Sequence, residues 1–230
     1  MSISQISNLS PSSSTVALGS NSQTHSKSMS RRQRRSAETR LRLFRCALQL
    51  FAERGLPNVT VEDITEAADV GKGTFFNYFE TKDHILGVMA EIQLGKVGEA
   101  AAGAKQGKQT IHTLLRQLVR RLAEEPGRSP SLARAFISSF LASESIREIL
   151  KRNMLEGRKA IGGLIAEGQR RGEIDPSLKP GKVALQFLQG NLGTFLLWSL
   201  HEKPALETWI EDTFRHFWRS IAISSEEQEP

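Results

Sequence analysis

The chain carries a single cysteine, Cys46. One thiol can form neither an internal disulfide nor a cysteine-based metal site, and this fits a reducing compartment. Histidine offers no substitute, because the five histidines, at positions 25, 84, 112, 201 and 216, show no metal-ligand spacing. Long apolar runs are missing too. The region 183–200 is the longest candidate, and Gln186, Gln189, Gly190, Asn191 and Gly193 interrupt it, so no membrane-spanning helix is expected. Residues 1–30 lack the apolar core of a secretory signal, and the cytoplasm is the expected location. There is no G-x-S-x-G elbow, no phosphate-cradling glycine loop and no carboxylate pair that demands catalysis. The expectation is a protein that is not an enzyme and needs no cofactor or metal.

Positive charge is plentiful and unevenly placed. The net charge is +6, yet between Lys27 and Arg45 eight basic residues face one acid, Glu38. That cluster accounts for the whole excess and suits a polyanionic partner. Residues 1–30 hold twelve serines and no acid, a composition that cannot bury a core. The chain therefore divides into a Ser-rich then Arg-rich disordered tail (1–35), a first compact helical domain (36–94), a second helical domain (95–223) and a frayed acidic end (224–230). The glycine-spaced stretch 95–109 marks the boundary.

Apolar periodicity throughout is helical, with no sustained strand alternation, so the fold class is all-α. The first helix is expected from Ser36, as N-cap, to Arg54, with Phe44, Ala47, Leu48 and Phe51 on one face and Gly55 as the stop. Thr60 caps a second helix in which Ile64, Ala67 and Ala68 face inward. After the turn Asp69-Val70-Gly71, a short third helix opens on Lys72-Gly73-Thr74 and buries Phe75 and Phe79. Thr81 caps a fourth. Five further helices are expected, at about 109–124, 131–141, 145–172, 180–201 and 205–223. Two short helices about a tight turn, the second with a leading edge of small residues and one lysine, form a helix-turn-helix whose second helix can enter the major groove of DNA.

The sequence from Gly71 to Phe79, followed by Lys82, resembles the N-terminal DNA-binding domain of the TetR/AcrR family of bacterial transcriptional regulators. Phe51-Ala52-Glu53-Arg54-Gly55, Thr60, Ile64, Ala67-Ala68, Val70, Gly73-Thr74, Tyr78-Phe79 and Ile85-Leu86 carry the likeness, which spans about 38–86. The chain departs from the family pattern at Thr65, Asp69, Gly71 and Phe75-Phe76. The resemblance implies that Lys72, Gly73 and Thr74 form the leading edge of a recognition helix capped by Gly71. Lys72 is then the candidate for a base-edge contact, and Asn77 for adenine or phosphate. Tyr78, Lys82, Thr60 and Arg40 are candidates for backbone phosphates. Phe44, Phe51, Phe75 and Phe79 are read as core.

The resemblance further implies a C-terminal domain that dimerises and holds a small-molecule effector. The last two helices suit association. Leu185, Leu188, Leu192, Phe195 and Leu196 form one apolar stripe, and Ile210, Phe214, Phe217, Trp218 and Ile221 another. Two such helices from each of two chains would build a four-helix interface, unless both stripes close the chain's own core. Phe136, Phe140, Met154, Phe187, Trp198 and Trp209 are candidates to line the effector pocket. The expected protein is a homodimeric regulator, a repressor released by its ligand from a palindromic double-stranded DNA operator, with no membrane partner. Three other readings stay open: a non-specific nucleic-acid binder driven by the arginine-rich arm, an all-helical binding protein with a vestigial helix-turn-helix, and the same fold with a protein partner in place of the small effector.

Overall fold

Ser30 begins the first helix. Its hydroxyl accepts from the Gln33 backbone N–H (3.2 Å), and the Gln33 side chain accepts from the Ser30 N–H (2.9 Å), so two donors at the helix start are satisfied reciprocally. In this computed structural model, which describes residues 30–223 except 143 and 202, helix α1 (Arg31–Arg54) therefore starts five residues earlier than the sequence suggested. Arg31 to Arg35 are helical and exposed rather than part of a tail. The tail 1–29 and the acidic end 224–230 lie outside the described residues.

Gly55 ends α1 with φ 77°, a conformation that a side chain would resist. A 3-10 turn (Leu56–Asn58) leads to α2 (Val61–Ala67), which Thr60 and Asp63 cap reciprocally. Asp69 takes φ 50° in the turn, as Asp tolerates better than most residues. There follow α3 (Lys72–Phe76) and α4 (Ile85–Lys105). Ala67, expected to face inward, is exposed; Thr65 takes the buried position, its hydroxyl donating to the Glu62 carbonyl (3.0 Å). Phe44, Phe51, Phe75 and Phe79 do form the core of this unit, with Ile64, Ile85, Leu86 and Met89.

The stretch expected to break at 95–109 instead continues α4 to Lys105 and turns only at Gly107 (φ 70°). One helix thus runs from the N-terminal core into the second unit. That unit holds α5 (Ile111–Ala123), α6 (Pro130–Ala142), α7 (Glu144–Arg170), α8 (Pro180–His201) and α9 (Leu206–Arg219). The described residues are all-helical apart from an isolated bridge between Ile174 and Ala222. Helix α4 packs chiefly on α7, α7 on α8, and α8 on α9. Helix α6 belongs to both units. Its Leu132 is fully buried in the N-terminal core, while Ala133 sits in the C-terminal one.

No described helix is long and apolar enough to cross a membrane.

Candidate nucleic-acid interface and effector cavity

The leading edge of α3 is open. Gly71, Lys72 and Gly73 are exposed, and a Cβ built on either glycine would meet nothing within 4 Å. The edge is held by a hydrogen bond from the Thr74 N–H to the Gly71 carbonyl (2.8 Å). The Lys72 ammonium pairs with the Glu62 carboxylate across the turn. The hydrogen bond from Lys72 is the main reason that the Glu62 carboxyl lies below its usual range. Beyond this edge, Asn77 is exposed and Tyr78 half-buried. Both line a polar cleft with Arg32, Arg35, Ser36 and Thr39 of α1. The structure thus brings the arginines of the early α1 turns beside the end of α3, an adjacency visible only once α1 starts at Arg31.

Three expected contacts are engaged elsewhere. Arg40 makes a two-pronged bond to Glu91 of α4 (2.9 and 3.2 Å), and its guanidinium lies over the Phe79 ring (5.9 Å). It ties α1 to α4. The Lys82 ammonium donates to the carbonyls of Leu56 and Val59, each at 2.8 Å, and faces that of Pro57 at 3.4 Å. It holds the loop that leads into α2. The Thr60 hydroxyl is engaged with Asp63 (2.7 Å), whose carboxyl is held below its usual range by hydrogen bonding from Thr60. One residue of this surface went unassigned in the sequence: Phe76, 49% exposed, meets Phe75 edge-on and lies next to Asn77. An aromatic left in solvent on a recognition helix was the available signal.

In the C-terminal unit an apolar cavity of about 140 Å³ opens between α4, α6, α7 and α8. Phe136 and Met154 line it, as expected. Phe187, Trp198 and Trp209 do not. Phe187 is buried against Phe217 (ring centroids 5.3 Å apart), Trp198 is buried, and Trp209 faces His201 (6.0 Å). These three aromatics serve the packing of α8 and α9. The Phe140 side chain lies outside the described residues. Gln93, Leu94, Asn153 and Phe195 complete much of the wall.

The two apolar stripes also separate. Ile210, Phe214 and Ile221 are buried in the chain's own core, and Phe217 and Trp218 pack half-buried against it, so the α9 stripe closes the subunit rather than presenting a face. A Cβ built on Gly190 would lie 3.5 Å from Thr213 Cγ2 of α9, which puts the close approach within the chain. On α8, Leu185 and Leu188 are half-buried, and Leu188, Leu192 and Phe195 border the cavity. Leu192 and Leu196 are outward, joined by Leu197 and Leu200, the last 60% exposed.

A family model, "Bacterial regulatory proteins, tetR family", matches residues 43–89, the segment that holds α2, the turn and α3. This segment is that of the TetR family. Its members are regulators rather than enzymes. The chain is 44% identical over 54 residues to the transcriptional regulator TcmR of Streptomyces glaucescens, covering 24% of each. It is 26% identical over 138 residues to the transcriptional repressor DhaR of Mycobacterium sp. strain GP1, covering 59% of this chain and 70% of DhaR. The alignment with TcmR thus spans about a quarter of that protein. Among solved structures, the regulatory protein TetR from Rhodobacter sphaeroides superposes with a TM-score of 0.63 at 24% identity, over 80% of this chain and 99% of that one. Thermus thermophilus FadR, a TetR-family repressor solved with lauroyl-CoA, gives a TM-score of 0.59 at 22% identity, over 83% and 98%. At these identities the structural likeness is one of fold.

Proposed function

We propose that this TetR-family chain is a cytoplasmic transcriptional repressor that binds a palindromic operator as a homodimer and leaves it when a small molecule fills the cavity. The observation that carries the reading is the unobstructed leading edge Gly71-Lys72-Gly73-Thr74 beside the arginine-lined cleft. In this reading Lys72 exchanges Glu62 for a base edge. Phe76 packs on a thymine methyl, an apolar contact that the major groove offers. Asn77, Tyr78, Arg32 and Arg35 take the flanking phosphates. The outward leucines of α8 supply the twofold contact, and twofold symmetry matches a palindromic site.

The cavity wall links the two functions. Helix α4 runs from the wall into the N-terminal core, and α6 carries Phe136 in the wall and Leu132 in that core. A ligand that fits one arrangement of α4 and α6 better than another shifts the population between them, and release follows from that difference in affinity.

The test is salt-dependent binding to the DNA upstream of the chain's own gene and to a scrambled fragment, with wild type and Lys72→Ala side by side. Preference for the native fragment, lost in the variant, is expected. Equal and steeply salt-sensitive binding to both would favour the second reading, a non-specific binder driven by the exposed arginines at 31–35.

A further inference from the structure

The chemistry of the cavity wall narrows the class of effector, an inference that rests on the proposed role of the cavity. Fifteen described residues line the wall, and none of them is charged. Lys96 of α4, which shares Glu125 with the wall residue Gln93, is buried and fully engaged: its ammonium meets Glu124 (2.9 Å), Glu125 (2.6 Å) and the Arg121 carbonyl (2.5 Å). Among the described wall residues an anionic ligand would therefore find no positive partner, and burying an unpaired charge is costly.

Two polar side chains on the wall are incompletely bonded. The Gln93 Nε2 donates to Glu125 (2.9 Å). That bond fixes the amide orientation and leaves Oε1 buried with no hydrogen-bond partner. Asn153 Nδ2, on α7, is likewise buried and unpartnered. Leaving such groups unpaired carries a cost, and a partner that satisfies them recovers it. One is an acceptor and the other a donor. The volume, about 140 Å³, is close to that of an engineered apolar cavity of about 150 Å³ that admits benzene.

We infer that the effector is a small neutral molecule with a single ring-sized apolar body and one hydroxyl or equivalent group, which donates to Gln93 Oε1 and accepts from Asn153 Nδ2. Both atoms are shielded in the unliganded chain, so the ligand meets them through a side-chain rearrangement at Gln93 and Asn153. Fatty acids and acyl-CoA thioesters, whose carboxylate or phosphates need cations, fall outside this class.

The experiment is isothermal titration of the full chain at pH 7 with four probes: 4-ethylphenol, ethylbenzene, 4-ethylbenzoate and lauroyl-CoA. The phenol is neutral there, since phenolic hydroxyls titrate near pH 10. The expected order is 4-ethylphenol above ethylbenzene, with 4-ethylbenzoate and lauroyl-CoA weakest. Gln93→Leu and Asn153→Leu should each weaken 4-ethylphenol by about tenfold and leave ethylbenzene within about twofold. The wild-type order decides the question even if a variant fails to fold. Tighter binding of 4-ethylbenzoate or lauroyl-CoA, or no binding of 4-ethylphenol, overturns the assignment. Operator release is followed separately by fluorescence anisotropy. Release by lauroyl-CoA but not by the phenol would sink the ligand class and keep the repressor reading. Binding of the phenol without any release would keep the ligand class and sink the proposed switch.

Discussion

Lys82→Met separates two roles that one lysine can play in such a domain. In the free protein its ammonium makes two 2.8 Å bonds to the carbonyls of Leu56 and Val59, which fix the loop between α1 and α2. Methionine keeps the length and apolar stem but leaves both carbonyls without that donor. Hydrogen bonds to a charged group contribute about 1.5–3 kcal/mol each. Because the site is only half-buried and water can reach part of it, the joint loss should fall near 2–3 kcal/mol. For a chain of this size each kcal/mol shifts the melting temperature by about 2–4 °C, so a drop of about 4–12 °C is expected. Thermal unfolding followed by circular dichroism reads it. Operator binding, measured well below the variant's melting point, should keep its salt dependence. A lost phosphate contact would instead lower the salt slope by about one unit. An unchanged melting temperature together with a slope reduced by one would refute the assignment of Lys82 to the loop.

Gly73→Ala meets open space and gains up to about 1 kcal/mol of helix propensity. Stability should hold or rise while operator affinity falls at least about tenfold, because the new methyl occupies the leading edge; affinity within twofold of wild type would exclude close backbone approach there. Glu62→Gln frees Lys72 and should raise operator affinity about two- to fivefold, the range of an exposed ion pair. The Glu62 value is depressed in the folded chain, so its pairing is present above the ordinary carboxylate range and lost as pH falls through the depressed value. The gap between variant and wild type should close in that acid window, and a gap that widens would contradict the pairing. Leu132→Ala empties a fully buried site and should cost about 2–5 kcal/mol in urea unfolding; a cost below about 1 kcal/mol would mean that α6 is not anchored in the N-terminal core.

The helix-turn-helix was legible because its signals are local. Caps at Thr60 and Gly55, the aromatic spacing of Phe75 and Phe79 and the glycine-rich edge all act within one or two turns. The start of α1 was missed because Ser36 and Ser30 are both acceptable caps. Only Gln33, reaching back to Ser30, decides between them. The stripe of Ile210, Phe214 and Ile221 shows that a face is covered but carries no mark of what covers it. In the fold α8 and α5 share this cover, α5 being helped by Arg116 and Arg120 bonding Glu211 (2.6–2.9 Å). Those hydrogen bonds hold the Glu211 carboxyl low although burial pushes it up. The aromatics assigned to a pocket failed for the same reason, since size and apolarity do not distinguish a cavity wall from a filled core. Leu132 is the extreme case, because it sits some 40 residues past the helices that it completes.

Helix α1, 24 residues long, is a straight-edged rod of about 36 Å at 1.5 Å per residue. Near its C-terminal end it touches α6, where the Ser131 hydroxyl faces the Ala52 carbonyl (3.5 Å). Its other end carries Arg31, Arg32, Arg34 and Arg35 past the last core side chain, Leu43. Such a rod is a lever with one arm packed inside the protein and the other, residues 31–42 or about 18 Å, projecting beyond the core. A tilt of about 5° at Leu43 sweeps the arginines by roughly 1.5 Å over that length, about half the length of one hydrogen bond. In the proposed operator complex, small rearrangements around the cavity would thus shift the arginines against the phosphates while α3 keeps its internal geometry unchanged.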